Sequence, residues 1–119
     1  MGMNDYRDVL QREFDAEEGS FLIQLRPGLV WDRAAFSRLV LAMEACCKDH
    51  EGRESIDRWI AVGFWYLSWS VKDWATHPNF PKDEPPEYYE KAFKRLFDLA
   101  YWFFCGESPY LKGHGFEPL

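Results

Sequence analysis

Residues 55 to 76 read SIDRWIAVGFWYLSWSVKDWAT, and the spacing of apolar positions in this stretch decides the fold class. Ile56, Ile60, Gly63, Leu67, Val71 and Trp74 recur every three or four residues, the period of one helix face. Trp59, Val62, Tyr66 and Trp69 form a second stripe, one residue out of step with the first. Only Arg58, Ala61, Trp65, Ser68 and Lys72 remain as a narrow face between them. A helix that is apolar round most of its circumference is a buried helix, so the pattern predicts the central post of the fold. Ser55 is placed at its start, and Pro78 requires it to end by about Thr76, because a proline ring disfavours helical geometry in the residue before it. Gly63 inside the run costs about 1 kcal/mol of helix propensity relative to Ala, which points to a neighbouring element passing close by.

Working outward toward the C-terminus, residues 77 to 87 carry Pro78, Pro81, Pro85 and Pro86 and read as a loop. A further helix opens near Pro85 or Pro86, since proline is tolerated in a first turn. Its stripe is Tyr89, Ala92, Leu96, Leu99 and Phe103, backed by Phe93, Phe97, Ala100 and Phe104. Glu87, Glu90, Lys91, Lys94, Arg95 and Asp98 form its wet face, with Glu87 to Lys91 and Glu90 to Lys94 in the favourable i,i+4 order. Gly106 ends it, and residues 107 to 119 read as an irregular tail.

Toward the N-terminus, Asp32 is placed to cap a helix bearing Phe36, Leu39, Val40, Met43 and Cys46 or Cys47 on one face. Trp31 and Phe36 stand where a hydrophobic staple closes over the cap, and Gly52 supplies the stop. Arg26-Pro27-Gly28 is a turn. Phe21 to Leu25 reads as either a short strand or one helical turn. Asn4 is placed to cap a first helix that runs to about Asp15. The expected fold is all-α: one domain over residues 1 to 119, a bundle of about four helices with a short extended segment.

Composition bounds the function. Six Trp, ten Phe and six Tyr among 119 residues supply ample core and exclude the signature of disorder. Twenty acidic residues against fourteen basic ones give a net charge of −6, which disfavours binding to a phosphate backbone. The first residues are polar and no run approaches the ~20 residues that span a bilayer, so the expected place of work is the cytoplasm, away from membranes. Three cysteines cannot all pair, which fits a reducing compartment.

The search for chemistry returns little. Cys46 and His50 stand at i,i+4 and could face one ion. A structural zinc site needs four ligands, and neither Cys105 with His77 nor His114 offers the paired spacing to complete it. Ser68 and Ser70 lack the glycine pattern of a nucleophile elbow. Gly113-His114-Gly115 precedes no helix and carries no Lys-Ser pair, so it is not a phosphate loop. The expectation is therefore no enzyme activity, no cofactor and no metal. What stands out is the aromatic excess. Trp65, Tyr88, Tyr101 and Trp102 fall off the main stripes, and exposed aromatics anchor protein interfaces. Beside them, Asp83, Glu84 and Glu87 concentrate negative charge at the Pro-rich loop. Asp83, Glu84, Glu87, Trp65, Tyr88 and Trp102 are the expected partner-binding residues.

A small, acidic, helical chain rich in Trp and Tyr resembles in build the immunity proteins of bacterial toxin–immunity systems. The resemblance spans the whole chain and rests on no motif. It implies a non-catalytic protein that neutralises a toxin domain by direct binding, with carboxylates meeting a basic cleft and aromatics as anchors. The alternatives are another inhibitor or adaptor, a homodimer packing the last two helices across a two-fold axis, or a small-molecule binder with a Trp-lined pocket.

Overall fold

The computed structural model describes residues 5–109 and 117–119, and among them the chain forms five helices and no strand. The helices are α1 (Tyr6–Phe14), α2 (Phe21–Leu25), α3 (Arg33–His50), α4 (Arg58–Ala75) and α5 (Pro86–Cys105). The expected cap Asn4 and the Gly113-His114-Gly115 motif lie outside the described residues.

Three of the five helices start where a side chain satisfies an otherwise orphaned backbone N–H. Asp5 accepts from Arg7 N at 2.9 Å and caps α1. Ser20 accepts from Ile23 N at 3.2 Å and caps α2, which resolves Phe21 to Leu25 as helix rather than strand. Asp32 accepts from Ala35 N at 3.1 Å and caps α3 as expected, with the Trp31 and Phe36 rings 5.1 Å apart in the staple. The α4 start departs from expectation. Its N-cap is Asp57 rather than Ser55, and that carboxylate does not cap, because Arg7 Nη1 donates to it across 2.7 Å from α1. At the far end, Gly106 takes φ +82°, a left-handed geometry that ends α5 at little cost for glycine.

The four long helices pack as α1 on α3, α3 on α5 and α5 on α4, with short α2 wedged against α1, α3 and α4. The core they enclose includes Leu10, Phe36, Leu39, Met43, Ile60, Phe64, Leu67 and Leu99, all buried. Gly63 has the close neighbour its position implied: the Phe14 ring lies where a Cβ would stand.

The central-post expectation for α4 is corrected. Its first stripe is inward, with Ile60, Gly63, Leu67 and Val71 buried, but Trp59, Val62 and Trp69 of the second stripe are exposed. A bundle of this size offers each helix neighbours on part of its circumference only. α4 has α5 on one flank and α1 and α2 on the other, and its third side has no neighbour among the described residues. Likewise Phe97 and Phe104, expected to back the α5 stripe, are exposed, whereas Arg95 and Asp98 of the expected wet face are buried. Arg95 Nη2 donates to the Glu117 carbonyl at 2.6 Å, so the returning C-terminal end covers that side of α5. Lys91 pairs with Glu117 and Lys94 with Asp98, in place of the expected Glu87 and Glu90.

Candidate functional site

The feature that the fold leaves without a packing role is an aromatic face on the outer side of α4 and α5. On one flank of α4, Phe64 stacks on Phe103 of α5 with centroids 4.5 Å apart. On the other, Tyr66 Oη accepts from Arg26 Nη1 at 2.6 Å. Between these attachments Val62, Trp65 and Trp69 point away from the core, at successive turns of one face. Trp65 is 56% exposed, and its ring meets Trp69 edge-on at 5.6 Å.

α5 extends this surface. Phe93 shares a cleft with Ala75 of α4, which identifies the flank of α5 that borders α4. Phe97, Tyr101 and Phe104 continue that flank at i+4, i+8 and i+11 from Phe93, so they lie alongside the α4 residues. All three are exposed, Phe97 at 65%. An aromatic side chain carries ~150–250 Å² of surface. Trp65, Trp69, Phe97, Tyr101 and Phe104 at about half exposure therefore present on the order of 500–600 Å² of ring surface. That stands at the upper end of the largest apolar patch on an ordinary monomer, about 300–600 Å².

The residues expected to bind a partner are divided by the fold. Trp65 sits in the middle of the aromatic face. Tyr88 and Trp102 do not reach the surface, being 7% and 6% exposed. Tyr88 Oη accepts from Trp31 Nε1 at 2.9 Å, and the Arg33 guanidinium lies 4.1 Å from its ring centroid. Trp102 Nε1 donates to Glu51 Oε2 at 2.8 Å. Both therefore serve packing, held by partners more than fifty positions away in sequence. Asp83 and Glu87 are exposed, and Glu84 is half-buried with its carboxylate on Arg33 at 3.0 Å. This acidic edge flanks the start of α5, close to the end of α4. It stands about 15 Å along α4 from Trp65, ten residues at 1.5 Å rise. Trp65 and the three carboxylates thus belong to two separate surfaces. The sequence pattern places Trp69, Phe97 and Phe104 on core stripes, but all three are exposed.

Most buried polar groups have structural partners, while among the described residues His50 Nε2 and Ser70 Oγ are buried with no hydrogen-bond partner. Cys46 and Cys47 are both covered, and desolvation pushes the Cys46 thiol up to about 12 and Cys47 higher still. Burial thus disfavours the thiolate, the form that attacks electrophiles. His50 Nδ1 stands 2.9 Å from the Cys46 carbonyl oxygen, an ordinary helix-terminal hydrogen bond for a protonated Nδ1. Among the described residues, no three His, Cys, Asp or Glu side chains converge as metal ligands. Glu13 is buried and accepts from Phe21 N and Leu22 N at 2.9 and 2.6 Å, stitching α1 to the start of α2. Desolvation raises its pKa, opposed by those two hydrogen bonds.

A cleft of 410 Å³ near α2 includes Trp74, whose ring lies 5.1 Å from the Arg26 guanidinium. It opens beside Pro27 at the surface rather than inside the bundle. None of the helices, among the described residues, is long and apolar enough to cross a membrane. Compared with known proteins, the chain matches no family model, no curated protein and no solved structure.

Proposed function

We propose that this chain is a non-catalytic protein-binding module that acts through the aromatic face of α4 and α5. The observation that carries this reading is the row Val62, Trp65 and Trp69 beside Phe97, Tyr101 and Phe104, large apolar side chains that face away from a core already filled by other residues. Leaving so much ring surface in water forgoes about 25 cal/mol per Å² of burial, which a protein partner would recover. Trp and Tyr are also the side chains that dominate binding energy at interfaces. The acidic edge at Asp83 and Glu87 adds long-range attraction for a basic partner and sets how it approaches.

In the form that the overall build favours, the module works in the cytoplasm and inhibits a cognate toxin domain by covering it, as immunity proteins do. Its unpaired thiols agree with a reducing compartment. The test is co-expression with the product of the neighbouring gene, scored for rescue of growth and for co-purification. Trp65→Glu should abolish co-purification while the helical circular dichroism stays unchanged. Charge reversal at Asp83 and Glu87 should slow association more than it speeds dissociation. A neighbour that is harmless and does not co-purify removes the inhibitor form. Partner binding that is indifferent to Trp65→Glu removes the face.

A further inference from the structure

The ends of the aromatic face differ in charge. Exposed Arg58 stands at its N-terminal end on α4 and exposed Asp73 at its C-terminal end, where Lys72 beside it is exposed too. Among the described residues, neither Arg58 nor Asp73 forms an ion pair within the chain. Between them α4 carries no carboxylate, and the carboxylate within Phe97 to Phe104, Asp98, is buried and bonded to Lys94 Nζ at 2.7 Å. Between Arg58 and Asp73 on α4, and from Phe97 to Phe104 on α5, no exposed carboxylate therefore opposes the approach of a like-charged molecule.

A surface with an arginine at one end, a carboxylate at the other and apolar side chains between sets these opposite charges face to face when reversed onto itself. That is the requirement of an interface between identical copies related by a two-fold axis. We propose that the aromatic face is covered by a second copy of this chain, with α4 packed antiparallel against the partner's α4 across a two-fold axis beside Trp65 and Tyr66. This assignment rests on the reading that the face binds protein, and it puts a second copy, in place of a toxin domain, on that face. Reversal about that point brings Arg58 to the partner's Asp73 and Val62 to the partner's Trp69, while the two Trp65 rings meet near the axis. Phe97, Tyr101 and Phe104 of each copy extend the contact over α5. The exposed rings alone, on the order of 500–600 Å² per copy, bring about 1,000–1,200 Å² out of water in the pair. A specific interface needs about 1,000 Å². The acidic edge at Asp83 and Glu87 stays outside the contact, free for a different partner.

The experiment is the solution mass of the full chain by light scattering or sedimentation over a wide concentration range. The expected particle has twice the 14.1 kDa mass of one chain. Trp65→Glu should return it to the single-chain mass with helical content unchanged. Arg58→Glu and Asp73→Arg should each weaken association by roughly tenfold or more, since each sets like charges face to face. An equimolar mixture of those two variants should associate as the wild type does, because every cross-copy contact again joins opposite charges.

A single-chain mass at every concentration overturns the proposal, and so does a dimer that Trp65→Glu leaves intact. A mixture that fails to regain association overturns the antiparallel register. A single-chain wild type whose neighbouring-gene partner is lost on Trp65→Glu rejects the second copy and leaves the protein-binding reading standing. A single chain whose partner binding ignores Trp65→Glu removes both.

Discussion

Two groups of aromatic residues, alike in composition and in helical spacing, meet opposite fates in this molecule. In the first, Trp31 is the hub. Its ring meets Phe21, Phe36, Tyr88, Tyr89 and Phe93 at centroid distances from 4.8 to 6.1 Å, and its indole N–H is satisfied by Tyr88 Oη. In the second, Trp65 and Trp69 touch each other and stand in solvent beside the Phe97 stripe. The first group draws on the loop before α3, on α2, α3 and α5, so each ring has a neighbour from another element. The second draws on two adjacent helices with no element above them among the described residues. Membership of an apolar stripe at helical spacing therefore marks a surface that can be buried. Whether it is buried depends on a third element arriving to cover it.

The comparison is sharpest in stability measurements. Trp31→Ala removes the hub and should destabilise by about 3–5 kcal/mol, the range for emptying a large aromatic site. A loss under ~1 kcal/mol in denaturant unfolding would show that the first group is as loosely held as the second. Leu67→Ala, on the inward side of α4, should cost about 2–5 kcal/mol because Leu67 is fully buried. An effect near zero there would mean that α4 is not seated on its inner stripe.

Tyr88→Phe keeps the ring but strands the Trp31 indole N–H, and should cost about 1–3 kcal/mol, the penalty for an unsatisfied buried donor. Equal stability of the variant and the wild type would show that water reaches that site.

A pH titration separates the charged links from the rings. Asp32 is held below the usual 3.8 by the Ala35 N–H, Asp49 by the Tyr6 hydroxyl and Asp57 by the Arg7 guanidinium. A depressed carboxyl contributes stability that is present above its unfolded value and lost as pH falls through the folded one. The unfolding temperature should therefore drop as pH falls below about 4, and Arg7→Ala should flatten part of that drop. Glu13, raised by burial, acts in the opposite sense: its contribution is present at low pH and is lost as pH climbs through its raised folded value. Unaltered pH dependence in Arg7→Ala would show that the Arg7–Asp57 link does not contribute.

Trp65→Ala should have the smallest effect of all on the fold, within ~0.5 kcal/mol in dilute protein, as for surface positions in general. A loss of several kcal/mol would place Trp65 in the first group and remove the basis of the interaction surface.

Local chemistry was legible wherever one residue and its sequence neighbours settle the matter. Asp32 caps α3 because its carboxylate reaches an N–H three residues on, and the Trp31–Phe36 staple follows from the same spacing. Gly106 ends α5 because only glycine adopts that φ at little cost. Gly63 signalled a close neighbour, though not that the neighbour would be Phe14. The candidate site was legible in kind but not in place. The excess of Trp and Tyr pointed to an interaction surface, and Trp65 was singled out. Tyr88 and Trp102, singled out with it, are held inward by Trp31 and Glu51, which no local pattern connects to them.

The order of residues determined that the chain is helical, where most helices begin and end, and how much apolar surface each one offers. Those properties come from backbone geometry and side chains within a turn or two of each other. Tertiary structure decided which apolar stripe is core and which is surface. α4 offered apolar residues on nearly every side, and the packing of α1, α2 and α5 covered only some of them. Burial is a relation between distant segments, set by which element lies above a face, and no periodicity within that face encodes it.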